Sequence, residues 1–62
     1  MSPTIDCVVV IDDDPAVTYL HQRIVTHVRA GTRVETFGDA ESALDEISQG
    51  LSPDLILVDL DL

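Results

Sequence analysis

Five aspartates in this 62-residue chain stand where chemistry can be done. Asp12, Asp13 and Asp14 directly follow one apolar run, and Asp59 and Asp61 directly follow another. If the two runs are neighbouring strands of one sheet, Asp12, Asp13 and Asp59 converge on one crevice. Carboxylates held that close repel one another, and a hard cation with oxygen ligands removes the cost. Mg²⁺ takes a few carboxylates and fills the rest of its shell with water and phosphate oxygens. The grouping therefore points to metal-assisted chemistry on a phosphoryl group. Asp14 reads differently. It precedes Pro15 at the start of a helical pattern and is expected to cap that helix. Asp39, Glu41, Asp45 and Glu46 read as a second cap and a solvated helix face.

Two other residue types invite chemistry and are given plainer roles. His21 and His27 lie six residues apart on one helix, so they do not share a face, and both are expected at the surface or its boundary. Cys7 sits in a buried strand and is expected to be inert core.

The elements that must bring these acids together follow from periodicity. Residues 7 to 11 are apolar and mostly β-branched, the pattern of a strand buried on both faces. Val17, Leu20, Ile24 and Val28 recur at helical spacing and form one apolar stripe, with Gly31 closing that helix. Residues 33 to 37 alternate polar and apolar, as a strand with a face or an edge in water does. Ala40, Ala43, Leu44 and Ile47 mark a second helix behind Gly38-Asp39, closed by Gly50. Residues 55 to 58 form a second fully apolar strand.

The order is thus β-α-β-α-β. Short connections and alternating elements imply an α/β fold with a parallel sheet and right-handed crossovers. The expected spatial order is 2-1-3, with the half-wet second strand outside and a switch point between strands one and three. Ligands of open α/β sheets bind at such a point, beyond the carboxyl ends of the strands.

Composition limits the alternatives. Sixty-two residues make one small domain, which buries only about 60% of the surface its unfolded chain exposes. Twelve acids against three arginines give a net charge of −9, which disfavours contact with nucleic acid or anionic lipid and favours divalent cations and basic partner surfaces. One cysteine cannot make an internal disulfide, and no run is long enough for a signal peptide or a membrane span. A cytoplasmic protein is expected.

The segments "VVVIDDDPAV" and "PDLILVDLDL" resemble the first and third strand regions of bacterial response-regulator receiver domains, which act in two-component phosphorelay signalling. The resemblance extends over essentially the whole chain and implies the first half of a flavodoxin-like doubly wound sheet, residues 1 to 62 being its first three strands and two helices. The 2-1-3 order is shared with that family. By position, the resemblance makes Asp59 the phosphoacceptor and Asp13 a direct Mg²⁺ ligand. Asp12 would act mainly through metal-bound water, and Asp61 would ligate through its main-chain carbonyl. The phosphodonor would be a histidine kinase, a histidine phosphotransfer protein or a small phosphodonor. The family also uses a Ser or Thr after strand four and a Lys after strand five. Neither position lies within these 62 residues, so the chain alone is expected to be a poorer acceptor.

Two rival functions share these residues. "LILVDLDL" also resembles the first motif of haloacid-dehalogenase-type phosphatases, in which Asp59 would be the nucleophile and Asp61 the general acid. That motif normally lies near the N-terminus, and it leaves Asp12 and Asp13 unexplained. The other rival is a receiver-like interaction module that never takes phosphate. No glycine-rich loop follows the first strand, which argues against a nucleotide-binding fold. Finally, an apolar strand at the sheet edge is expected to pair with something, either later strands of a longer polypeptide or the third strand of a second copy.

Overall fold

A computed structural model of the chain describes residues 5–59; Asp61 lies outside them. The elements run β1 (Cys7–Ile11), α1 (Pro15–Val28), β2 (Arg33–Phe37), α2 (Ala40–Ser48) and β3 (Leu55–Val58). The three strands form one parallel sheet in the order β2-β1-β3. This is the α/β arrangement the alternation implied.

Strand β1 is central, and its sequence explains why. Val8, Val9 and Val10 are at most 1% exposed, and only a strand covered on both faces can bury consecutive side chains, because alternate ones point to opposite sides. Full burial of each valine contributes about 1.5–3 kcal/mol before the cost of ordering the chain. Pairing sets Val8 beside Val34 and Leu55, and Val10 beside Thr36 and Leu57. Those residues share the face under α1. Cys7, Val9 and Ile11 point to the face under α2, where Ala43 is fully buried. Cys7 is a buried free thiol, as expected of core.

The helix boundaries follow their caps. The side chain of Asp14 accepts a hydrogen bond from the Ala16 N–H, with Pro15 as the first helical residue. Asp39 accepts from the Ser42 N–H at 2.7 Å. α2 ends in a Schellman motif: the N–H of Leu51 donates to Glu46 O and that of Gly50 to Ile47 O, with Gly50 at φ +121°.

The apolar stripe Val17, Leu20, Ile24, Val28 is not the covered face of α1: Leu20, Ile24 and Val28 are 56%, 50% and 77% exposed. α1 lies over β1 and β2, and Val17, Thr18, His21 and Val25 are its more buried positions. The stripe faces the flank beside β3, which neither helix backbone approaches among the described residues. Strand β3 is the edge that the 2-1-3 order implied, and Leu55, Ile56 and Val58 are 42–50% exposed despite an interior pattern. Strand β2, read as half-wet, is the opposite edge of the sheet.

Candidate metal centre at the carboxyl end of the sheet

Main-chain hydrogen bonds bring the acids to one place. The N–H of Asp12 donates to Phe37 O at 3.0 Å, and the N–H of Asp59 donates to Ile11 O at 3.0 Å. Asp12 is thereby tied to the end of β2, and Asp59 to the end of β1. Both residues are fixed at the same end of the sheet by the ladders that define it.

The loop after β1 then turns sharply. The N–H of Asp14 donates to Oδ1 of Asp12 at 2.9 Å, and Asp14 O accepts from the N–H groups of Val17 and Thr18. The turn directs Asp13 outward while Asp12 stays inside, only 7% exposed. Carboxylate oxygens of Asp12, Asp13 and Asp59 all lie within 4.8 Å of one another. Among the described residues these three form a group that could hold a metal ion, one buried and two exposed. Asp14 is committed to its helix cap. Asp61, the fourth expected ligand, falls outside the described residues.

Three carboxylates at this spacing place up to three negative charges around a point that a divalent cation can occupy. The buried member matters most, because a charge withdrawn from water gains most from a counter-ion. The spacing does not select one hard cation over another.

A cleft of about 350 Å³ opens beside this group, lined in part by Asp12, Val17, His21, Leu57 and Asp59. His21 is half-buried, at the boundary as expected, and its Nδ1 is shielded from solvent with no hydrogen-bond partner. Its nearness to the acidic end was not read from the sequence. The signal was the i, i+4 step from Val17, which puts His21 on the helix face turned toward the sheet. His27 is exposed.

A sixth acid has a structural role that sequence reasoning missed. At the opposite end of the sheet, Oδ2 of Asp54 accepts from the N–H groups of Asp6 and Cys7 at 2.8 and 3.0 Å. It caps the entry to β1 from the chain leading into β3. The sequence placed Asp54 only in a loop.

Comparison with known proteins finds no matching family model, no matching curated protein and no matching solved structure. No helix among the described residues is long and apolar enough to cross a membrane.

Proposed function

We propose that this chain is the opening half of a response-regulator receiver domain, in which Asp59 accepts a phosphoryl group with the help of Mg²⁺. The observation that carries the reading is the convergence of Asp12, Asp13 and Asp59 within 4.8 Å at the carboxyl end of two adjacent parallel strands. Carboxylates so placed have no packing value, and that end of an open α/β sheet is where ligands bind.

In this reading an oxygen of Asp59 attacks the phosphorus of the donor in line. The bond from phosphorus to the donor nitrogen or oxygen breaks, and the leaving group takes that electron pair and a proton. Mg²⁺ supplies charge neutralisation at the phosphoryl oxygens when bound. Asp13 and Asp59 would hold the ion directly and Asp12 mainly through water. By the family resemblance, the main-chain carbonyl of Asp61 would complete that shell. The donor is a histidine kinase, a histidine phosphotransfer protein or a small phosphodonor, and the setting is the bacterial cytoplasm.

Incubation with acetyl phosphate and Mg²⁺ tests this. The expected product is an acid-stable, base-labile acyl phosphate on Asp59, in low yield, absent without Mg²⁺ and absent in Asp59→Asn. Label that persists in Asp59→Asn, or that maps to His21, overturns the reading. Continuous release of phosphate that depends on the Asp61 side chain would establish the phosphatase mechanism instead.

A further inference from the structure

The loop that carries Asp12 and Asp13 is tied to the first turn of α1 through one residue, Thr18. The N–H of Asp14 donates to Oδ1 of Asp12 at 2.9 Å. Asp14 O in turn accepts the N–H of Thr18 at 3.1 Å, and the Thr18 hydroxyl donates to Pro15 O at 2.9 Å. Thr18 is the buried residue of α1, 9% exposed. With Asp12, Asp13 and Phe37 it lines a cleft of about 230 Å³ on the β2 side of the acidic group. We propose that Thr18 is a positioning residue for that group, an inference that rests on the metal centre proposed above. It fixes the first turn of α1 against the loop and so holds the Asp12 and Asp13 carboxylates in place for a divalent cation.

Threonines inside helices often bond a carbonyl three or four residues back, and α1 contains a second example. Thr26 donates to Gln22 O and Arg23 O. Thr26 is exposed and lies about two turns beyond Thr18, away from the acids. The bond is of the same kind, and the location separates the two. Proline has no N–H, so its carbonyl is the only main-chain group through which Pro15 can be held. The Thr18 hydroxyl grips that group beside the loop.

The identity of the cation makes the role measurable. Mg²⁺ demands a near-octahedral shell with short bonds, whereas Ca²⁺ accepts irregular ones. A loop released to shift therefore costs Mg²⁺ more than Ca²⁺. A threonine that served folding alone would cost both ions alike.

Calorimetric titration of the whole chain with Mg²⁺ and with Ca²⁺ tests the proposal. Thr18→Val keeps the branched shape and removes the hydroxyl. It is expected to raise the Mg²⁺ dissociation constant roughly tenfold, the low end for losing a residue that orients metal ligands, and the Ca²⁺ constant by less. Thr18→Ser is expected to restore both, and Thr26→Val to leave both unchanged. Without metal, the Asp14 amide in Thr18→Val is expected to exchange roughly three- to tenfold faster, the worth of one hydrogen bond in a local opening. Should Thr18→Val fail to fold, Thr18→Cys, a weaker donor, takes the same readouts. If the unaltered chain binds neither ion, the proposed metal centre falls, and the metal-free exchange of the Asp14 amide still decides whether Thr18 holds the loop. Equal losses for the two ions, no recovery in Thr18→Ser, a matching loss in Thr26→Val, or unchanged exchange at Asp14 would each overturn the inference.

Discussion

Oδ1 of Asp12 accepts the main-chain N–H of Asp14 at 2.9 Å while the same carboxylate belongs to the acidic group with Asp13 and Asp59. One side chain thus shapes the loop and contributes charge. Asparagine keeps the acceptor and loses the charge, whereas alanine loses both. Asp12→Asn is expected to retain the melting temperature and to weaken Mg²⁺ binding by about tenfold, or 1.4 kcal/mol. Asp12→Ala is expected to show the same loss of binding plus roughly 1–3 kcal/mol of destabilisation from the unpaired N–H. Titration calorimetry and thermal melts separate the two effects.

Asp13 is exposed and makes no contact that shapes the loop. Asp13→Asn is therefore expected to weaken Mg²⁺ binding with melting unchanged in the absence of metal. A fall in metal-free stability would show that Asp13 has a structural role.

Hydrogen bonds from Ser42 hold the Asp39 carboxyl below its ordinary value. A folded-state value lowered relative to the unfolded chain contributes stability above the unfolded value, and that contribution is lost as pH falls through the folded one. The acid limb of a melting profile is expected to flatten in Asp39→Asn, which caps without titrating. Asp39→Ala, which loses the cap altogether, is expected to lower stability at neutral pH as well. Melts between pH 2 and roughly pH 7 check both, since that window spans the carboxylate range.

Gly50 has φ +121° and nothing within 4 Å of where a Cβ would stand. Gly50→Ala thus tests conformation without steric conflict. The expected cost is about 1–2 kcal/mol, the penalty an L side chain meets in left-handed backbone. A neutral result in urea unfolding would show that α2 can end another way.

Much of this architecture is legible in the sequence, for local reasons. The Asp14-Pro15 and Gly38-Asp39 pairs announce their helices because capping is decided within four residues. The unbroken valines of β1 announce a central strand because no other position buries both faces. Burial elsewhere was not legible. Leu20, Ile24 and Val28 have helical spacing, but spacing says only that they share a face, not that anything covers it. Leu55 to Val58 have the composition of an interior strand, and only the strand order told that their position is an edge. At the site, the convergence of Asp12, Asp13 and Asp59 followed from the strand order, which the family resemblance helped to choose. The partnerless nitrogen of His21 and the capping role of Asp54 depend on tertiary neighbours, which no local pattern encodes.

The bonds from Asp54 to Asp6 and Cys7 also bear on the order in which the molecule assembles. They close a loop spanning 47 or 48 residues, whereas the bond from Thr32 to Ile5 at the start of the β1–β2 pair spans 27. Nearly doubling a loop costs only about 0.6 kcal/mol in chain entropy, too little to rank the two closures. What ranks them is the surface each one removes from water. Docking β2 on β1 buries strand and helix together, while docking β3 leaves its own side chains about half wet. Among the described residues β3 is therefore the strand expected to open first, a ranking that native-state amide exchange would read directly.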